Sequence, residues 1–175
     1  MISRFFTFEE HATLIEGAYH VPLVILSLMV AVFASYMAFN VAGQAAITEH
    51  KLRRNTLLGT GSVALGGGIW SMHFLGMTAF DLCLPVDYDP LITGLSAVPG
   101  FAAAWVALHL LTKSRISLAE IMIGGVLVGA GIGTMHYSGM AAMEMAPLLR
   151  YDLGMFALSI VVAVCLAMLS LWIKF

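Results

Sequence analysis

Charged residues are scarce in this chain of 175 residues. Only 10% of the residues are Asp, Glu, Lys or Arg, whereas 61% are hydrophobic and the mean hydropathy is +0.95. A soluble domain of this length could not bury so much apolar side chain, so the composition predicts an integral membrane protein. The small net charge of −2 and the lack of a long basic run argue against a nucleic-acid partner.

Cysteines and catalytic groups are also few. Cys83 falls in a predicted loop and Cys165 in the middle of an apolar stretch, at two different membrane depths, so we expect no disulfide between them. No nucleophile paired with a base, phosphate-binding loop or acid dyad is recognisable, and we expect no enzymatic activity. Residues 1–18 contain no sustained apolar run. We interpret them as a short periplasmic or interfacial segment rather than a cleaved signal peptide.

Long apolar stretches fill the rest of the chain. Each has about 20 or more residues, enough for a helix to cross a hydrocarbon core about 30 Å thick. They cover residues 19–41, 56–80, 89–111, 117–143 and 153–173. The sequence therefore predicts an all-α, polytopic transmembrane bundle of about five helices over residues 19–175.

The cations predict its orientation. Six of the eight Lys and Arg residues would lie on one side of the membrane: Lys51, Arg53, Arg54, Lys113, Arg115 and Lys174. Since cytoplasmic loops carry an excess of Lys and Arg, the N-terminus should lie outside and the C-terminus inside.

A hexapeptide with the pattern Met-His-aromatic-x-Gly-Met occurs twice, 63 residues apart, at 72–77 and 135–140. On a helix, His73 and Met77 are four residues apart and share a face, as do His136 and Met140. Imidazole and thioether together are ligands that copper, above all Cu(I), prefers. These four residues are the predicted metal ligands, in the outer halves of the second and fourth segments and thus near the periplasmic face.

Other side chains near this site leave alternatives open. Met72 and Met135 either line its edge or fill the core. His20 is either a third imidazole or an ordinary interfacial histidine, and Tyr137 either hydrogen-bonds a bound ligand or is an interfacial aromatic residue. For Met143 and Met145, and for Asp89 and Asp152, we favour structural roles, as core filling and as helix caps respectively.

The repeat extends beyond the hexapeptide. Tyr88-Asp89 and Tyr151-Asp152 are also 63 residues apart, and a serine follows each tyrosine by eight positions, as Ser27 follows Tyr19. The repeating unit is thus a helical hairpin. A third Met-His motif would fall past the last residue, so we expect the third repeat to be incomplete here, either because the protein is naturally short or because this is a fragment of a longer protein. Glycines at 66–68 and at 125, 129 and 133 predict close packing, which we expect to bring the second and fourth segments together.

These residues resemble a known family. Met135-His136-Tyr137-Ser138 differs at one position from the tetrapeptide that names the MHYT domain, a bacterial membrane sensor module. Residues 68–74, 129–134 and 138–143 are similar to it as well. The resemblance implies copper binding, sensing of oxygen, carbon monoxide or nitric oxide, and coupling to cytoplasmic domains of cyclic-di-GMP turnover. It points to the four predicted ligands, with Met72, Met135 and Tyr137 alongside.

We therefore predict a sensor module in a bacterial inner membrane, with lipid, a diatomic gas and a cytoplasmic signalling domain or protein as partners. This chain departs from the family in lacking a third Met-His helix and an output domain. Three other functions stay open: a haem-binding bundle with His73 and His136 as axial ligands, a transporter of copper or protons, and a structural membrane subunit. A homodimer is left open too.

Overall fold

Long helices make up most of the protein. The computed structural model describes residues 6–7, 17–82, 85–145 and 151–174, so that Cys83 and most of the predicted segment 1–18 lie outside the described residues. The helices are α1 Val21–Ala46, α2 Lys51–Thr78, α3 Pro90–Leu95, α4 Ala97–Leu111, α5 Leu118–Ala141 and α6 Leu153–Lys174. The predicted all-α bundle is confirmed, with the third predicted segment divided into α3 and α4.

Four spans in the described part of the chain are long and apolar enough to cross a membrane: α1, α3 with α4, α5, and α6. At 28 residues α2 is also long enough, but it begins with three cations and is rich in Gly, Ser and Thr. Its polar and small residues are tolerated because α2 packs between α1 and α4. Large apolar side chains such as Val32, Phe33 and Val161 are exposed on the outer helices, as expected of surfaces that face lipid.

The two ends of the bundle differ in chemistry. At one end, called here the cationic end, lie Lys51, Lys113 and Lys174. Lys113 forms an ion pair with Glu120, whose carboxylate also completes a capping box with Ser117 at the start of α5. The opposite end, called here the site end, carries the two hexapeptides at the ends of α2 and α5.

Strands of two residues tie the chain together at the site end. They are β1 Phe6–Thr7, β2 Ala18–Tyr19, β3 Phe80–Asp81, β4 Asp87–Tyr88, β5 Met143–Glu144 and β6 Tyr151–Asp152. β2 pairs with β3 and β4 with β5, both antiparallel, and β1 pairs with β6 in parallel. Each antiparallel pair joins the start of one helical hairpin to its end, which confirms the hairpin as the repeating unit.

The break between α3 and α4 has an identifiable cause. Pro99 has no N–H, so the carbonyl of Leu95 loses its partner four residues on, and the chain turns at Ser96. Trp70 of α2 supports the break, because its indole N–H donates to Ser96 Oγ at 3.0 Å and to the carbonyl of Thr93 at 3.1 Å. Ser96 is only 1% exposed, so its polar groups need such partners.

Small residues dominate the buried surface. Ala38, Ala42 and Ala45 of α1 pack with Leu58 of α2 and Leu108 of α4 in the main core cluster, towards the cationic end. In a membrane the hydrophobic effect does not drive helices together. Small side chains stabilise the bundle because they let the helices approach closely. The bundle therefore depends on backbone proximity more than on large interdigitating side chains.

The glycine stripe of α5 contacts a different helix from the one expected. Gly125, Gly129 and Gly133 face Met168, Val164 and Ile160 of α6. The glycines of α2 likewise face α1 and α4, since Gly68 contacts Ala34, and a Cβ on Gly66 would lie 2.9 Å from the backbone of Gly100. The expectation that these stripes join α2 to α5 is wrong. The reason is that α2 and α5 both lie against α4 and meet each other over a small area.

We predict that Gly129→Ala destabilises the protein by about 1–3 kcal/mol, because the new Cβ would lie 2.7 Å from Val164 Cα and would force α6 away. Gly43→Ala is the matched control, since nothing lies within 4 Å of a Cβ there. It should leave stability unchanged or raise it by up to about 1 kcal/mol. Thermal unfolding of both variants in detergent provides the measurement, and an equal effect of the two would contradict the close α5–α6 packing.

Candidate metal centre

Both hexapeptides are helical, as predicted, and each ends one residue before its helix does. The helices are oriented by the chain that enters at the site end. The backbone N–H of His20 donates to the carbonyl of Ala79 at 2.7 Å, and that of Asp89 donates to the carbonyl of Ala142 at 2.9 Å. The two hydrogen bonds are repeat-related, so the two Met-His helices end at equivalent depths.

The two hexapeptide histidines face each other. The ring centroids of His73 and His136 are 4.7 Å apart, with an angle of 55° between the ring planes. His73 Nε2 is buried and has no hydrogen-bond partner among the described residues, whereas the His136 side chain is exposed. A buried, unpartnered ring nitrogen costs free energy unless something binds it. The pair therefore presents one unsatisfied nitrogen beside a second, accessible imidazole.

A cavity of about 630 Å³ lies at this pair, at the site end of α1, α2 and α5. Six of the predicted site residues line it: His20, Met72, His73, Met77, His136 and Met140. A space of this size holds far more than one ion, since a water molecule occupies about 30 Å³. The structure thus brings three imidazoles and three of the predicted thioethers to one accessible cavity.

Two predicted residues lie elsewhere. Met135 is only 2% exposed, and a Cβ added to Gly100 of α4 would lie 3.5 Å from its Cγ, so Met135 fills the core between α5 and α4. Tyr137 faces α6, where its hydroxyl is 2.5 Å from Ser159 Oγ and its ring centroid is 4.5 Å from that of Phe156. Neither side chain lines the cavity.

Several cavity residues were not predicted as part of the site. Met143, for which core filling was favoured, lines the cavity, and so do Ser27 and Tyr88, which were noted only as repeat markers. Ser27 Oγ donates to the carbonyl of Val24 at 2.8 Å, which leaves its lone pairs free to accept. Burial raises the pKa of Tyr88, so its phenol stays protonated near neutral pH and can donate. The repeat spacing was the signal that could have found both.

The aspartates at the starts of α3 and α6 cap those helices. Asp89 Oδ1 accepts from the backbone N–H of Ile92 at 2.8 Å, and Asp152 Oδ1 accepts from that of Met155 at 2.8 Å. The favoured interpretation of both residues as caps is confirmed.

The donor set restricts which metal could bind. No group of three His, Cys, Asp or Glu side chains suited to a metal is found within the described ranges. The donors beside the His73–His136 pair are chiefly thioether sulfurs, while His20 and Asp81 also line the cavity. Zinc and the hard cations rarely accept thioether ligands, whereas copper does.

A family model for a bacterial signalling protein N-terminal repeat, named MHYT, matches residues 8–59, 66–124 and 129–175. The chain belongs to the MHYT family. The second and third matched segments begin at residues 66 and 129, within α2 and α5 and shortly before a Met-His hexapeptide. The repeats of the family model therefore start inside a Met-His helix, whereas the helical hairpins start before α1 and α3. Family membership and the apolar spans together establish a membrane-embedded signalling domain.

Curated relatives are longer signalling proteins. The chain is 40% identical over 91% of its length to the bifunctional diguanylate cyclase/cyclic di-GMP phosphodiesterase MucR of Pseudomonas aeruginosa. It is 32% identical over 92% of its length to the signalling protein YkoW of Bacillus subtilis, and 33% identical over 87% to the cyclic di-GMP phosphodiesterase NbdA of P. aeruginosa. The chain covers 23% of the length of MucR, 20% of that of YkoW and 19% of that of NbdA. No solved structure matches the chain.

The placement of Tyr137 predicts a structural role for its hydroxyl. Tyr137→Phe should lower the free energy of unfolding by about 1 kcal/mol, because the hydrogen bond with Ser159 is lost. Combining it with Ser159→Ala should cost little more than either change alone, as measured by a double-mutant cycle on thermal unfolding. Tyr36→Phe, at a residue 64% exposed, serves as the control and should have no effect. Additive losses in the cycle would show that the two hydroxyls do not interact.

Proposed function

We propose that this MHYT domain binds copper between α2 and α5 and senses a diatomic gas, namely oxygen, carbon monoxide or nitric oxide, or the redox state at that metal. The observation that carries the proposal is the close pairing of the His73 and His136 rings, with a buried Nε2 on His73 that makes no hydrogen bond of ordinary geometry, beside a cavity lined by thioethers. A buried imidazole nitrogen without a well-formed hydrogen bond is explained if it is a metal ligand.

The two imidazoles lie close enough together to share one ion after a change of side-chain rotamer, since their ring centroids are 4.7 Å apart. The thioether sulfurs that line the cavity beside them favour copper, which accepts imidazole together with thioether ligands.

Met77 and Met140 complete the set of ligands that we assign. Each lies one helical turn after its histidine, on the same face, and lines the same cavity. Met72 and His20 also line the cavity and could supply a further sulfur and a further nitrogen. Copper bound there would supply a soft centre of variable redox state with affinity for diatomic ligands. The open cavity leaves room for a small neutral molecule to reach it.

A copper transport function is less well supported. A conducting route would have to continue from the cavity to the cationic end. The core cluster there contains Ala42, Ala45, Leu58 and Leu108, which provide no ligand or proton carrier.

We assign the output to cyclic-di-GMP turnover by a cytoplasmic domain or partner. The support comes from MucR, a diguanylate cyclase and cyclic di-GMP phosphodiesterase, and NbdA, a cyclic di-GMP phosphodiesterase; this chain matches 23% and 19% of their lengths. A change in the distance between His73 and His136 would move α2 against α5, and both helices extend to the cationic end. The Lys and Arg residues of that end favour the cytoplasmic side of a bacterial inner membrane, which puts the metal near the periplasmic face.

Replacing either histidine tests the proposal. His73→Ala and His136→Ala should each remove most of the copper from purified, folded protein, because neither the remaining imidazole nor the thioethers can hold the ion alone. His109→Ala is the matched control, since His109 is an exposed histidine of α4 near the cationic end and should leave the copper content unchanged. Elemental analysis by mass spectrometry measures the bound metal.

Two outcomes would contradict copper binding. Full copper content in both His73→Ala and His136→Ala would show that the ion binds elsewhere. An intense Soret band in the absorption spectrum of the wild-type protein, lost in the same two variants, would establish haem instead.

A further inference from the structure

Gly139 occupies the point at which α2 meets α5. A Cβ added to it would lie 2.8 Å from His73 Nε2, 3.1 Å from His73 Cδ2 and 3.3 Å from Phe74 Cζ. Gly139 itself is buried. The edge of the His73 ring that bears the unpartnered nitrogen therefore lies directly against the α5 backbone, in space that a side chain at 139 would fill.

The repeat-related glycine is in a different environment. Gly76 holds the same position in the first hexapeptide, yet nothing lies within 4 Å of a Cβ built on it. Glycine is thus sterically required at one copy of the motif and tolerated at the other. The requirement comes from the contact with His73 and not from the helical backbone, which alanine would suit better than glycine.

We propose that Gly139 is the positioning residue of the His73–His136 pair: its missing side chain lets the His73 imidazole lie against α5, with its ring centroid 4.7 Å from that of His136. The stripes at Gly66–Gly68 and at 125, 129 and 133 cannot do this, because they pack against α1, α4 and α6. Of the three measurements described below, only the Cu(I) affinity rests on the copper proposal.

Alanine at 139 should displace the ring and leave the helices in place. The atoms that it would meet belong to the end of a side chain with two rotatable bonds, and a cavity of about 630 Å³ adjoins them. Rotation of the imidazole into that cavity relieves the clash more easily than separation of the helices. The expected result is a folded protein with a displaced nitrogen ligand.

The test compares Gly139→Ala with Gly76→Ala in the full chain purified in detergent. In metal-free protein, acylation of histidines by diethyl pyrocarbonate is followed by peptide mass spectrometry. His73 should react slowly in the wild type, since Nε2 is buried, and several-fold faster in Gly139→Ala. In a second measurement, competition with a chromophoric Cu(I) chelator should show copper affinity lowered by about tenfold or more in Gly139→Ala. Gly76→Ala should resemble the wild type in both.

A third variant makes the test independent of how well Gly139→Ala folds. In the His73→Ala background the clashing ring is gone, so Gly139→Ala should lower the melting temperature much less than it does in the wild-type background. A loss of stability that is equal in the two backgrounds would overturn the proposal. So would His73 reactivity that is the same in Gly139→Ala and Gly76→Ala. Failure of wild-type protein to bind Cu(I) would remove the copper proposal, while the acylation result would still decide the role of Gly139.

Discussion

The bundle depends on how closely two helix backbones can approach in lipid. Lipid chains are as apolar as leucine, so helices gain little by exchanging lipid for each other's large side chains, and contact surfaces must instead be shaped for close packing. Here each helix pair has its own set of small residues. α5 uses Gly129 towards α6, Gly131 towards α4 and Gly139 towards α2. α5 thus packs against three neighbouring helices, each through a different glycine.

The repeat makes a symmetric frame and an asymmetric site. Equivalent backbone hydrogen bonds and short strand pairs hold the two hairpins at matching depths. Within that frame the paired residues differ. Met72 lines the cavity while Met135 is in the core, and His73 Nε2 is buried while His136 is exposed. Both helices have two large neighbours, α1 and α4 for α2, and α4 and α6 for α5. The two copies also differ at the glycine three residues after each histidine, since Gly139 lies against His73 whereas nothing lies within 4 Å of a Cβ on Gly76.

Much of this could be predicted from the sequence. Long apolar runs predict helices in lipid, and Asp at a helix start predicts a cap. The repeated hexapeptide identified five residues of the cavity, and the position of His20 at the start of the first segment identified a sixth. Neighbour relations could not be predicted, because a glycine pattern shows that a face is small but not which helix it contacts. For the same reason, Met72 and Met135 looked equivalent, and Gly139 looked like one more small residue. The break at Ser96 did have a sequence signal in Pro99, three residues on.

The hydrogen bonds of Trp70 have a mechanical consequence. Trp70 lies one helical turn before His73, and its indole is fixed to the turn between α3 and α4. A continuous helix moves as one rigid body. Because the third predicted segment is broken at Ser96, α3 and α4 can change their angle relative to each other. Rotation of α2 about its own axis would displace the turn at Ser96 through the Trp70 hydrogen bonds and would tilt α3 relative to α4. If α2 moves in the way that the proposed function requires, the Trp70 hydrogen bonds would couple that movement to the angle between α3 and α4.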